Sequence, residues 1–382
     1  MPGKCVLLPY LNTGGGHRSA ARAVAEALEA TYGAGLDALP VDVTADYFRW
    51  PLSDLGAVYE RLVSGRGRAW ALTYHLTNHR RRIRILEPLW WRLTREPVLA
   101  LVDRTEPDAV VCCHPLLKAP LARALRHLSK PAPLITLVTD LVSGHTTWFH
   151  PPDGPCLVPT DGARSQALRC GLAPDSVVIT GLPVGSAFQR ASVLDQAEAR
   201  GRLGLDPDRR TVVVIAGADG MGPFHALMRA LLDGRSPAQF VAITGRNGRL
   251  RERLEAATWP QPLRVMGFVD TMDEWMAAAD LLVTKAGPGT IAEALVVGVP
   301  MVLCSAVPGQ EPANVRYAVE SGAARWAPRP EDAAEAVHDL LSDDGVLKQM
   351  SEQARTAGNP HAAQQAAAFV WGEIRGRRGS GP

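Results

Sequence analysis

Residues Thr284 to Asn314 read TKAGPGTIAEALVVGVPMVLCSAVPGQEPAN, and this stretch decides the fold. The apolar run Leu281 to Thr284 enters a Gly287-Pro288-Gly289 turn, and a helix-forming segment opens at Thr290. A second apolar run, Met301 to Leu303, leads into the polar loop Gly309-Gln310-Glu311. Strand, glycine turn, helix and strand make a βαβ unit, and so a parallel sheet. Glycines let backbone approach a ligand without a Cβ in the way. The first turn of the helix offers free N–H groups and the positive end of its dipole, which suits an anion and phosphate above all. Glu293 lies one turn in, poorly placed for phosphate but able to accept from ribose hydroxyls. Gln310 and Glu311 fall at the carboxyl end of the next strand, where open α/β sheets hold ligands, and suit sugar hydroxyls. A Gly-Pro-Gly turn alone would be read as an ordinary βαβ unit whose glycines serve packing. Glu293 and the Gly-Gln-Glu loop turn the reading toward a nucleotide-sugar site.

The rest of the chain repeats the pattern. Cys5 to Pro9 is a strand, Asn12-Thr13-Gly14-Gly15-Gly16-His17 a glycine loop, and a helix runs from about Arg18 to Thr31. Further strands are expected at Leu39 to Val43, Ala109 to Cys113, Leu134 to Thr139, Cys156 to Val158 and Val177 to Thr180, with helix through Ala45 to Ala100 and Leu117 to Leu128. The second half opens in the same way, with a strand at Thr211 to Ala216 and a glycine loop from Gly217 to Gly222. Strands at Phe240 to Thr244 and Leu263 to Met266 follow. Alternation of this kind predicts parallel sheets with helices on both faces. Gly181 to Gly185 reads as the exit from a first domain, which sets domains at 1–184 and 185–359 and a terminal helix at 360–376.

The totals bound the function. A chain of 382 residues exceeds one typical core, and 46% apolar with 21% charged residues is a soluble globular composition. No run approaches the ~20 apolar residues of a membrane span, and Met1 to Pro9 is too short for a secretory segment, so a cytoplasmic location is expected. The six cysteines form no C-x-x-C pair and are expected to be reduced. Neither glycine loop has the G-x-G-x-x-G spacing, which weighs against a dinucleotide oxidoreductase. Charge is uneven: residues 1–150 hold 18 Lys and Arg against 13 Asp and Glu, and the remainder 23 against 26.

Four runs carry a resemblance. Gly14-Gly15-Gly16-His17-Arg18, Val138-Thr139-Asp140-Leu141 with Thr147-Trp148-Phe149-His150, Lys285 to Ala294, and Gly309-Gln310-Glu311 with Asn314 resemble the monogalactosyldiacylglycerol synthase family. That family groups with the processive diacylglycerol glucosyltransferases and the lipid II-forming N-acetylglucosaminyltransferase. The resemblance spans most of the chain in order. It implies a GT-B fold, two Rossmann-like domains with a cleft between them, and a terminal helix that crosses back to the first. It implies a UDP-galactose or UDP-glucose donor on the second domain, inverting transfer to a diacylglycerol, and no cofactor or metal. Gly217, Gly287, Pro288, Gly289, Thr290 and Asn314 fall in the donor set, and Gly267 with Phe268 match the loop that holds uracil by its backbone. Gly16, Trp148 and Phe149 fall on the acceptor side. No transit segment precedes the first strand, unlike the plant members.

A base for the acceptor hydroxyl is needed on the first domain. His17 opens a helix whose dipole favours its neutral form, so it fits a base, a helix cap or a phosphate contact equally. Asp140 ends a buried strand and fits as the base, as the group that orients His17, or as a cap. His145 and His150 flank Trp148-Phe149 without the carboxylate or thiols of a metal site, and Asp206-Pro207-Asp208 reads as a proline turn rather than a metal-binding D-x-D.

From Arg61 to Arg95 there are nine arginines against one acid, Glu87. Ile83, Leu86, Trp90 and Leu93 recur at helical spacing, with Trp70, Tyr74 and Trp91 as further aromatics. A basic helix with tryptophans suits an anionic membrane surface, and Arg80, Arg81, Arg82, Arg84, Trp90 and Trp91 are its expected contacts. A stripe packed on the sheet is the competing reading. No nucleic-acid module is present. Rival functions are transfer to a polyprenyl-linked or soluble acceptor, a UDP-sugar 2-epimerase of the same fold, and a non-catalytic nucleotide-sugar binder.

Overall fold

The computed structural model describes residues 3–33, 35–64, 68–129, 131–216, 224–233 and 235–376. Arg66, the Gly217 to Gly222 loop and the arginines at 377 and 378 lie outside them. The chain divides into two compact units, Met1–Ser186 with His361–Pro382, and Ala187–Pro360.

The first unit holds six parallel strands: β1 Lys4–Tyr10, β2 Leu36–Asp42, β3 Ala109–Cys112, β4 Leu134–Leu137, β5 Cys156–Val158 and β6 Val177–Ile179, in the order β2-β1-β3-β4-β5-β6. Alternate residues of β1 serve opposite cores, as a doubly covered strand requires. Val6, Leu8 and Tyr10 pack with Ala20, Val24 and Leu28 of the Gly16–Tyr32 helix and with Ala363, Ala366 and Val370 of the terminal Ala362–Gly376 helix. Leu7 meets Val98, Leu101 and Val102 of the Arg80–Thr105 helix and Leu117 and Leu121 of the Pro115–Ala124 helix. The second strand begins at Leu36 rather than Leu39, because Leu36 and Ala38 point inward and pair with Lys4 and Val6.

The second unit repeats the plan with β7 Thr211–Ile215, β8 Gln239–Ile243, β9 Leu263–Met266, β10 Leu281–Lys285, β11 Met301–Ser305 and β12 Ala324–Trp326, ordered β12-β11-β10-β7-β8-β9. In each sheet the opening strand lies beside a strand from later in its unit, so the crossovers reverse direction there. Ligands of open α/β sheets bind outside the carboxyl ends of the strands at such a point. In the first unit it lies between β1 and β3, and in the second between β7 and β10. All six cysteines are free thiols, four of them buried.

Lys118, on the Pro115–Ala124 helix, is fully enclosed, and its Nζ has no hydrogen-bond partner. Burial holds its pKa below the usual lysine value. The unfolded chain therefore binds a proton that the folded one resists. Stability is complete above the ordinary lysine pKa of 10.5 and declines as pH falls below it. Lys118→Met should stabilise the protein by about 1–3 kcal/mol near neutral pH, and by less at pH ~10. Thermal melts of both forms across that range check this.

Candidate active site

At the carboxyl edge of the first sheet, the loops after β1, β3 and β4 bring one histidine cluster together. Gly14 and Gly15 take φ of 85° and 78°, a left-handed backbone that favours glycine and turns the chain sharply into the helix. His17 therefore sits in the first turn of that helix, directly over the strand ends. Its Nδ1 lies 2.7 Å from Thr139 Oγ1. Its ring meets the His114 ring edge-on, with centroids 4.4 Å apart, and the Trp148 ring at 5.9 Å. Burial lowers its pKa to about 4, while a bond to the Cys113 backbone works the other way. Desolvation thus favours the neutral ring, alongside the helix dipole at this N-terminus.

His114 follows β3. Its Nδ1 accepts from Leu116 N, so the ring carries its proton on Nε2 and donates it to Thr13 Oγ1 at 3.0 Å. Burial keeps this ring neutral as well.

The group seen on His17 Nδ1 is Thr139 Oγ1. The indole N–H of Trp148 donates to Asp140 Oδ2 at 2.6 Å. A Cβ on Gly144 would lie 2.6 Å from Trp148 and 2.7 Å from Asp140 Oδ2, so only glycine leaves room for this pair. Trp148 and Phe149 are correspondingly enclosed in the core, at 0% and 1% exposure, and neither offers a surface to an acceptor. The sequence placed them on the acceptor side. The short helical turn Thr146–Phe149 instead folds both under the loop. The flanking histidines are committed elsewhere: His145 Nε2 lies 3.1 Å from Thr77 Oγ1, and His150 Nε2 lies 2.9 Å from Glu87 Oε2. No group of three or more His, Cys, Asp or Glu side chains among the described residues forms a potential metal site.

In the other unit, a separate group of candidate residues sits at the ends of β10 and β11. The helix is Pro288–Val297 with Gly287 as its cap, so the first backbone donors it presents are those of Gly289 and Thr290. Gly287 has an ordinary φ of −69°, and its lack of a side chain serves another end: a Cβ there would sit 3.0 Å from Lys285 Nζ. Among the described residues, nothing lies within 4 Å of the Cβ position on Gly289. The turn is an open cradle of N–H groups with an ammonium beside it. Sequence reading assigned Lys285 no role of its own, although it ends β10 at the edge where ligands bind.

Lys285 Nζ is held 2.6 Å from Glu311 Oε1, and Glu311 Oε2 accepts from Val307 N at 2.7 Å. At 3% exposure Glu311 has its carboxylate spent inside the protein. It shapes the loop and positions Lys285, and does not face a sugar as the sequence suggested. Asn314 is 2% exposed and donates from Nδ2 to the Ala286 carbonyl at 3.1 Å, while its Oδ1 has no partner. Gln310 remains partly accessible and is the loop's candidate for hydroxyl recognition. Glu293 is only partly accessible. Burial, with Asp273 adding, pushes its pKa up to about 8, so it stands as a neutral acid at pH 7 and can donate as well as accept. Beyond β9, Phe268 is half exposed with the Arg246 guanidinium 5.1 Å over its ring, next to Gly267. Gly217 lies outside the described residues.

The basic stretch differs from its sequence reading. Trp90 donates its indole N–H to the Leu116 carbonyl at 2.8 Å, and Trp91 packs on the core with Arg123 5.8 Å over its ring. Tyr74 is buried. These contacts turn Trp90 and Trp91 toward the protein interior, and both stay partly accessible. Arg80, Arg81, Arg82 and Arg84 are exposed, and Arg82 caps the preceding helix by donating to the Leu76 carbonyl at 2.7 Å.

Known proteins match both halves. The family model for monogalactosyldiacylglycerol (MGDG) synthase covers residues 17–184, and that for the glycosyltransferase family 28 C-terminal domain covers residues 211–366. Monogalactosyldiacylglycerol synthase 2 of Arabidopsis thaliana is 35% identical over 378 residues, 94% of this chain and 78% of its own. A japonica rice protein described as a probable monogalactosyldiacylglycerol synthase 2 is 38% identical over 344 residues, 87% of this chain and 73% of its own. Among solved structures, MurG of Acinetobacter baumannii superposes with a TM-score of 0.61 at 17% identity, covering 97% of this chain and 99% of that one. HepE of Anabaena in complex with UDP-glucose gives 0.59 at 14%, covering 96% and 99%. A UDP-N-acetylglucosamine 2-epimerase gives 0.57 at 14%, covering 100% and 99%.

The two parallel sheets, each with its residues gathered at the carboxyl edge, are those of a GT-B protein. Because transferase and epimerase share that fold, the choice between them rests on sequence identity. The chain belongs to the monogalactosyldiacylglycerol synthase family and is a UDP-sugar hexosyltransferase.

Proposed function

We propose that this enzyme transfers galactose from UDP-galactose to the free hydroxyl of a diacylglycerol, with inversion at the anomeric carbon and without a catalytic metal. The observation that carries the reading is that family identity runs through both half-sites, from His17 to Val184 and on through Lys285 and Asn314. The galactose and lipid assignments rest on the names of the relatives.

His17 is neutral and takes the hydroxyl proton. Nδ1–H donates to Thr139 Oγ1, so the lone pair that receives the proton is on Nε2. The freed oxygen attacks the anomeric carbon from the side opposite the diphosphate. UDP departs onto the Gly289 and Thr290 N–H groups, with the Lys285 ammonium balancing the charge that develops. A base of low intrinsic pKa suits this order of events, because a bound dianionic donor raises it when the proton must be held. Glu293, whose raised pKa keeps it protonated, exchanges hydrogen bonds with the ribose diol, and Gln310 meets the hexose.

Incubation of labelled UDP-galactose or UDP-glucose with diacylglycerol vesicles tests the reading. Lipid-soluble label should appear with UDP-galactose, at equal rate with and without EDTA. Isomerised UDP-sugar without an acceptor would overturn the transferase. Loss of activity in chelator would overturn the metal-free route.

A further inference from the structure

One backbone amide fixes the direction of every hydrogen bond around His114. The residue precedes the Pro115–Ala124 helix, and its Nδ1 caps that helix by accepting from Leu116 N at 3.2 Å. A neutral imidazole carries one proton, so Nε2 holds it and is the donor to Thr13 Oγ1 at 3.0 Å. The Thr13 oxygen is therefore the acceptor in that bond. Its own O–H is left to donate elsewhere, and no protein group among the described residues takes it.

Thr13 is held in place from both sides. Its N–H donates to the Leu11 carbonyl at 2.9 Å, just past β1. A Cβ on Gly56 would lie 2.9 Å from the Asn12 carbonyl, so the Leu55–Ser64 helix rests directly on this loop. Thr13 stays partly accessible, whereas His114 is 3% exposed. The same His114 ring packs edge-on against His17, with centroids 4.4 Å apart. One buried ring thus holds two groups of opposite hydrogen-bonding character: the Nε2 lone pair of His17 and the O–H of Thr13. A hydroxyl complements both, since it gives one proton and accepts on its oxygen. A carboxylate or phosphate would meet the His17 lone pair with its own, and an ammonium has nothing to accept from Thr13.

Resting on the proposed role of His17 as base, we infer that Thr13 binds the acceptor hydroxyl, with His114 as the residue that positions it. The Thr13 O–H donates to the acceptor oxygen, and that oxygen's proton passes to His17 Nε2. One lone pair of the oxygen is occupied by Thr13, and the other is left for the anomeric carbon. Thr13 keeps its own proton throughout.

Steady-state kinetics with UDP-galactose and diacylglycerol varied separately test this. Thr13→Val keeps the shape and removes the hydroxyl. It should lower kcat/KM for the diacylglycerol about tenfold, with donor KM and melting temperature unchanged. Thr13→Ser should restore most of the loss. His114 is tested by two variants that each keep one of its bonds. Asparagine retains an acceptor for Leu116 N, and glutamine retains a donor for Thr13. Both lose the ring packed on His17, so the contrast between them isolates the Thr13 bond. His114→Asn should have the lower kcat/KM for diacylglycerol, and His114→Gln the lower melting temperature. One variant lower in both would overturn the positioning role. Wild-type glycolipid formation with Thr13→Val equally active strikes the Thr13 contact alone. No glycolipid from the wild type strikes the proposed reaction and the contact with it.

Discussion

With glutamine in place of His17, turnover should fall by about 10²–10⁴-fold, the range a positioned base contributes. The KM for UDP-sugar should change little, because the donor contacts belong to the other unit. Glutamine fills the site and keeps a polar atom for Thr139, so folding should survive. The pH dependence separates a base from a helix cap. In the free enzyme the His17 pKa is about 4, against 6.5 for an ordinary histidine. Wild-type kcat/KM should hold through the range where an ordinary histidine would protonate, with its acid limb near the lowered value. The same shift bears on stability: between the two values the unfolded chain takes a proton that the folded one refuses. Wild-type stability is complete above 6.5 and is lost as pH falls toward 4, and the variant should show a flatter curve. Asp140→Asn should give the smaller loss of the two, since Asp140 Oδ2 accepts from the Trp148 indole while Thr139 holds His17 Nδ1.

The second large effect is expected at Lys285. Removing a preorganised group that faces developing charge typically costs about 10²–10³-fold in kcat. Lys285→Met should show a loss of that size, with a higher donor KM. The single variant also strands Glu311, which is buried and loses its partner, at a cost of about 3–5 kcal/mol of stability. The double variant Lys285→Met, Glu311→Gln resolves the two effects. It leaves a neutral pair that keeps an acceptor for Val307 N, so the melting temperature should recover while turnover should not. If turnover recovers with stability, Lys285 is only a structural partner of Glu311. Steady-state kinetics and thermal melts on the three proteins decide this.

Strand positions and the two-unit plan were legible because buried parallel strands are nearly continuous apolar runs, and most here are bounded by a glycine. The chemistry was legible where a motif coincides with a strand end, as at His17 and the Gly287 turn. His114 and Lys285 satisfy the same positional rule, one directly after β3 and the other closing β10, so the signal was present and simply unused. The misread residues share a different cause. Whether Trp148 and Phe149 turn inward depends on the short helical turn that carries them, which no periodicity reports. Along Arg80–Thr105, spacing shows that apolar residues recur but not that they form two faces. Trp90 and Trp91 took the inner side, and the leucines were left outside. Glu311 resembles an exposed loop carboxylate until the Lys285 ammonium and the Val307 amide are seen closing on it.

One product analysis bears most directly on a base from one unit driving a sugar off the diphosphate held by the other. The enzyme is supplied with UDP-galactose, whose sugar is α-linked, and a diacylglycerol in the presence of EDTA, and the isolated lipid is examined by proton NMR at the anomeric position. A single in-line displacement by the lipid hydroxyl predicts a β-linked galactosyl diacylglycerol. An α-linked product, or released sugar with no glycolipid, would contradict it.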